Sequence, residues 1–345
     1  MDRRSFLAAS AAALFAPKPA PAAANVKFGM DLFSLRSQGW TPFQYLDYCA
    51  KWNVKVVHFS ELRFIGSLET ENLKKVRAHA GELGIEVELG MKSICPTSTM
   101  FDPKEGTAEE QLGKAIVAAT TVGSKIVRCV LGSSADRMSK VPLDQNIENT
   151  VKVLRNVRSK VVDAGLKIAI ENHAGDMQAR EVKGLIEAAG KDFVGSCLDS
   201  GNPLWTIEDP HLTLETLAPY VLTSHVRDTS VWNAPQGAAV AWTRMGQGSI
   251  GMEDYIREYN AKCPGRALSL EVIVTGPRYY NYRDPKFWDA YRTTPAWEFA
   301  RFVALVEKGT PQPAPPRLTG QAAVDRERED VEASIKWTQE FLAKL

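Results

Sequence analysis

Short apolar runs recur along this chain, and an amphipathic stretch follows each of them. Residues 26–33, 54–59, 85–91, 125–131, 166–170, 193–198, 221–226 and 267–274 read as strands. Helical spacing of apolar residues marks the stretches after Thr41-Pro42 and over 68–83, 108–122, 143–164, 179–189, 210–218, 248–259 and 295–307. Gly84, Gly123, Gly165 and Gly190 stand where helices would end. Brief runs that are apolar on both faces are the mark of buried parallel strands. Eight of them alternating with eight helices predict an α/β chain folded as a closed (β/α)8 TIM barrel. An open doubly wound sheet is the competing arrangement. No G-x-G-x-x-G or G-x-x-x-x-G-K-[ST] run follows any strand, which argues against a nucleotide-binding fold of that kind.

Two stretches exceed a minimal barrel: a long loop at 229–247 and an aromatic-rich extension at 275–294. The expected division is a leader at 1–24, a barrel at 25–308, then a Pro-rich linker and C-terminal helix at 309–345, with the helix starting near 324. The leader opens with Arg3-Arg4-Ser5-Phe6-Leu7, a twin-arginine signature, and Ala22-Ala23-Ala24 offers small residues for cleavage. Its apolar run, residues 7–15, is too short to span a bilayer. The expected destination is therefore the periplasm or another exported location, with no stable membrane span. Charge is balanced, with 42 Lys+Arg against 41 Asp+Glu, so nothing favours nucleic acid as a partner. The five cysteines are scattered, form no C-x-x-C pair, and are expected to need no disulfide.

The chemistry gathers at strand ends. In the stretch 166–173, LKIAIENH, an apolar run meets Glu171, Asn172 and His173 at once. Asp199 ends the sixth strand, His225 the seventh, and Glu271 lies in the eighth. The carboxyl ends of barrel strands are where such folds place their active sites. Four neighbouring strands would bring three carboxylates and one imidazole to one spot, and carboxylates that close need a cation. Oxygen donors with one imidazole suit one divalent metal ion, Mn²⁺, Co²⁺, Mg²⁺ or Zn²⁺.

The order E-N-H, L-D-x-G-N, H-V-R-D and a late L-E resembles the xylose-isomerase-like TIM barrel superfamily, over 26 to about 307. That group includes sugar isomerases, the ketose 3-epimerases and endonuclease IV. The resemblance implies that Glu171, Asp199, His225 and Glu271 hold the metal, and that Glu171 and Glu271 are the catalytic acid/base pair. It also implies a sugar isomerase or epimerase that transfers a proton next to a carbonyl, the cation stabilising the enediolate. Two departures stand out. The epimerases have a histidine where this chain has Asn202, and an arginine where it has Val231, with Arg227 nearby. Endonuclease IV needs more histidines than the five present here.

Substrate-contact candidates are His173, Asn202, Arg227, Lys92, Arg128 and Trp205, the last offering an aromatic face to a small-molecule sugar or sugar derivative. Covering the barrel end, or a contact in a homo-oligomer, is the competing use of the aromatic residues. Structural ion pairing is the competing use of Arg128, and structural roles are favoured for His58 and Glu61. Two alternatives use the same four residues. One is a lyase or hydratase acting on 3-keto-glycosides. The other is a carbohydrate-binding protein without catalysis, which would not need both glutamates.

Overall fold

The computed structural model describes residues 26–345. The twin-arginine segment lies outside them. Eight parallel strands form the barrel: β1 (Lys27–Asp31), β2 (Val56–Phe59), β3 (Glu86–Ser93), β4 (Ile126–Val130), β5 (Lys167–Glu171), β6 (Val194–Asp199), β7 (Val221–His225) and β10 (Ala267–Leu270). Their order is β10-β1-β2-β3-β4-β5-β6-β7. A single bridge, Val226 to Leu270, closes the circle. Its hydrogen bonds run from Val226 N–H to the Ser269 carbonyl (2.7 Å) and from Glu271 N–H to the Val226 carbonyl (2.9 Å). This thin seam matters because it ties Glu271 to the end of β7.

The strands are buried on both faces, as their composition implies: every residue of β4 and β6 is buried. The helices between them begin with α1 (Pro42–Lys51), α2 (Thr70–Glu82), α3 (Ala108–Val122) and α4 (Leu143–Asp163). They continue with α5 (Ala179–Ala189), α6 (Pro210–Leu217) and α7 (Met252–Lys262). Local chemistry sets their ends. Thr107 caps α3 in a reciprocal pair with Glu110, and Gly123 stops it at φ +90°, a backbone that favours glycine. Among the described residues no helix is long and apolar enough to cross a membrane. All five cysteines are buried and free.

Two expectations are corrected. The stretch 229–247 is not a loop. Most of it forms an antiparallel hairpin, β8 (Asp228–Ala234) with β9 (Gly237–Thr243), to which β11 (Arg278–Tyr280) adds a third strand. Three alanines weaken the strand signal of β9, and β11 comes from far along the chain. The second correction concerns the helical ring. Helix α8 (Ala296–Lys308) does not fill the eighth position. Arg301 on α8 pairs with Asp209 and Glu215 at α6, and Glu298 pairs with Arg180 on α5. The place between α7 and α1 belongs to α9 (Gly320–Leu342). There Tyr48 of α1 donates to Glu332 (3.2 Å), Gln339 donates to the Trp52 carbonyl (2.5 Å), and Arg257 of α7 lies over Phe341. The chain between β10 and α9 instead crosses loops of the mouth. Arg137 after β4 donates to the Ala290 carbonyl, and the Tyr291 hydroxyl to the Trp205 carbonyl.

Candidate metal centre

Glu171, Asp199 and His225 are the last residues of β5, β6 and β7, and Glu271 follows β10 directly. Parallel register sets Asp199 beside His225, and the closing seam brings Glu271 alongside. One donor atom from each of the four lies within 4.8 Å of every other. Three are fully buried and Glu271 is 6% exposed. His225 Nδ1 stands 3.0 Å from Glu171 Oε2 and 3.1 Å from Glu271 Oε2, yet has no hydrogen-bond partner. A buried nitrogen facing two carboxylates without bonding either has the layout of a coordination site.

Neighbours fix each donor. The Asn172 amide joins β5 to β6: it donates to the Asp199 carbonyl and accepts from Asp199 N–H, both at 2.9 Å. Asp199 Oδ1 accepts the backbone N–H groups of Gly201 and Asn202 at 2.7 Å. Arg227 donates through Nε (3.0 Å) and Nη2 (2.6 Å) to Asp199 Oδ2, and through Nη2 to Glu271. Its guanidinium lies over Trp242, 4.2 Å from the ring centroid. Gly201 makes the room, since a Cβ there would come within 2.3 Å of Arg227 Cγ. On the other side Arg128 Nε donates to Glu171 Oε2 (2.5 Å), and its Nη1 to the Met91 carbonyl (3.2 Å).

These partners set the charge. Burial pushes the Glu171 carboxyl up, but Arg128 and His225 outweigh it and hold it well below the usual range. Burial is likewise overcome at Glu271, which Arg227 and His225 bring down to about 2. Asp199 goes the other way: burial, Glu271 and Glu171 push it up to about 7 against the pull of Arg227. Burial disfavours a charged His225, but Cys197, Glu171, Asp31 and Glu271 together raise it well above an ordinary imidazole. The site thus draws in positive charge, which a dication would supply. Three carboxylates and one imidazole fit Mn²⁺, Co²⁺, Mg²⁺ or Zn²⁺. Cys197 also lies close, 3.9 Å from Glu171, and its Sγ forms a second possible set of donors with Glu171 and His225, although burial lifts the free thiol to about 12.

The other sequence candidates divide. Arg128 and Arg227 contact the quartet directly. Asn202 reaches Glu171 Oε1 at 3.4 Å, and its own carbonyl oxygen is buried without a partner. His173 Nδ1 meets the Gly132 carbonyl at 2.7 Å, so Nδ1 carries the proton and Nε2 the lone pair. Desolvation keeps this ring below its ordinary pKa despite the pull of Glu171. Trp205 does not offer an aromatic face. One face stacks on Trp242 at 4.0 Å and the other lies under Arg278 at 4.2 Å, which leaves the buried, unpartnered Nε1–H as its free group. Lys92 is not brought to the quartet. It is exposed and lines a groove with Glu61, Arg63, Met100 and Asp102. A break in the β3–β4 register between Gly90 and Ser93 alters the pairing just where Lys92 sits. Sequence reasoning missed Asp31 at the end of β1, and favoured a structural role for His58 over substrate contact. Both are fully buried beside His225, and their one signal was a polar residue inside an apolar strand.

A family model described as the xylose isomerase-like TIM barrel matches residues 46–288. The chain belongs to that family. The 3-oxo-isoapionate decarboxylase of Pectobacterium atrosepticum is 22% identical over 183 residues, covering 53% of this chain and 59% of the relative. The chain thus spans about three fifths of that relative's length. A D-psicose 3-epimerase solved with D-fructose superposes with TM-score 0.62 at 14% identity, over 92% of this chain and 99% of that one. The IolI protein with a bound zinc atom gives TM-score 0.54 at 14% identity, over 81% and 96%. At such identities the structures establish the fold.

Proposed function

We propose that this protein is a divalent-metal-dependent sugar isomerase or epimerase that moves a proton next to a carbonyl. The observation that carries the reading is that Glu171 and Glu271 both come within about 3 Å of His225 Nδ1, each paired with its own arginine. A divalent ion held by the quartet would polarise the sugar carbonyl and offset the charge that develops on its oxygen. One glutamate accepts the proton from the carbon beside the carbonyl. The other, once it has taken a proton from solvent, gives that proton to the same carbon or to the neighbouring one, and the first glutamate then loses its proton to solvent. Arg128 and Arg227 return both carboxylates to the charged form after turnover and keep them aligned. The His173 Nε2 lone pair and the Trp205 N–H are suited to substrate hydroxyls. The zinc-bound neighbour and the epimerase neighbour support this choice.

Loss of carbon dioxide from an oxo sugar acid is the second reading. It too passes through an enolate, and the named relative is a decarboxylase. Two buried guanidiniums beside the quartet favour it, since they would welcome a carboxylate. Expulsion of a substituent from a 3-keto-glycoside would use the same enolate. Incubating Mn²⁺-loaded protein with D-fructose or D-psicose in deuterated water tests the first reading. Deuterium entering beside the carbonyl is the expected result, and its absence together with carbon dioxide release from a 3-oxo sugar acid would replace it with the second. Export through the twin-arginine pathway belongs to the same proposal, and fractionation of cells carrying Arg3→Lys/Arg4→Lys tests it.

A further inference from the structure

His225 has two ring nitrogens and only one of them can serve an ion. Its Nδ1 faces Glu171 and Glu271. Its Nε2 lies 2.8 Å from His58 Nδ1, across the barrel interior and 167 residues away in sequence. The rings pack with centroids 4.7 Å apart at 54°. If Nδ1 is to keep its lone pair, the proton sits on Nε2 and needs an acceptor. The usual acceptor is a carboxylate or a backbone carbonyl. A carboxylate is close by, but Asp31 Oδ2 is 4.0 Å from His225 Nε2, too far for a hydrogen bond.

We infer that His58 is the positioning residue of the metal centre: its Nδ1 accepts the His225 Nε2 proton and so commits the His225 Nδ1 lone pair to the ion. This rests on the metal reading proposed above. The fold holds His58 for the task. It is fully buried on β2, paired in register between Asp31 on β1 and Glu88 on β3. Gly90 on β3 leaves it space, since a Cβ there would lie 3.2 Å from His58 Nε2 and 2.8 Å from the Ser60 carbonyl oxygen. With Nδ1 accepting, the His58 proton resides on Nε2, which has no hydrogen-bond partner. Using a neutral imidazole where a carboxylate is usual leaves His225 a less basic donor. The ion is then bound less tightly but remains more electron-demanding toward substrate oxygen.

Cobalt and zinc read this out without any turnover assay. In the full chain, His58→Leu should weaken Co²⁺ binding about 10- to 100-fold and shift its visible absorption. His58→Gln keeps an acceptor oxygen and should recover most of the affinity and the spectrum. In the Zn²⁺-loaded wild type, long-range proton–nitrogen correlation should find both His225 and His58 protonated on Nε2, a measurement that needs no variant to fold. Unchanged Co²⁺ affinity and spectrum in His58→Leu would overturn the assignment, as would a His58 protonated on Nδ1. So would an Asp31→Asn loss larger than that of His58→Leu, which would transfer the role to Asp31. A wild type that binds neither ion would sink the metal reading itself. A wild type that binds, with both His58 variants matching it, would sink only this inference.

Discussion

The two walls of the barrel interior hold their carboxylates at different proton affinities. On the wall of β5, β7 and β10, Glu171 and Glu271 are buried yet ionised, because Arg128 and Arg227 stand against them. On the wall of β1 to β3, Asp31 is fully buried and Glu88 partly buried, with no guanidinium bonded to either. Burial pushes the first up to about 6 and the second up to about 7. The balance of burial, partner and neighbouring acids decides whether a carboxylate keeps its charge, since Asp199 pairs with Arg227 and is still pushed up to about 7. The wall of β5, β7 and β10 thus holds two carboxylates well below their ordinary range, while His58 on the other wall is held neutral by burial.

Breaking that contrast should cost most where the charge is used. Glu171→Gln and Glu271→Gln should each lower deuterium exchange into the sugar by about 10²- to 10⁴-fold. Retained exchange in either would remove that residue from the acid/base pair. The guanidiniums come next. Arg227→Leu or Arg128→Leu leaves a buried carboxylate uncompensated and should lower stability by about 3–5 kcal/mol in denaturant unfolding. Breaking the exposed Lys74–Glu71 pair should cost about 0.5 kcal/mol or less. Comparable losses at both places would mean that the arginines are not counter-charges.

Adding the ion should sharpen the contrast further. Mn²⁺ at a hundred times its dissociation constant should stabilise the protein by about 2.7 kcal/mol, and a chelator should reverse it. The same thermal scan on Asp199→Asn should show a much smaller shift. The remaining effect, a pH dependence, falls on the wall of β1 to β3. Glu88 stays protonated in the folded chain up to about pH 7, whereas in the unfolded chain it ionises near its ordinary value. Its contribution to stability is therefore greatest at acid pH and declines as pH rises toward 7, by about 1 kcal/mol per pH unit at most. Glu88→Gln should flatten that part of the stability profile. An unaltered profile would show that Glu88 is already ionised in the folded protein.

Much of this was legible in the residues. The spans 108–122 and 179–189 are helices as predicted, because caps and closing glycines are local signals. The gathering of Glu171, Asp199, His225 and Glu271 was legible too, because each ends or follows a strand and a barrel orders its strands as the chain does. Lys92 misled because a register break cannot be read from composition. Trp205 misled because its two faces were already taken by Trp242 and Arg278, residues distant in sequence.

Alternation of apolar runs and capped helices determined by itself that the chain would close as a barrel with acids and an imidazole at its rim. That information is local, and a parallel barrel converts order along the chain into order in space. Only the tertiary structure decided that α9 rather than α8 completes the helical ring, that the stretch after β7 is a hairpin, and that His58 meets His225. Each of these depends on contacts between remote segments, whose pairing comes from how the whole surface packs.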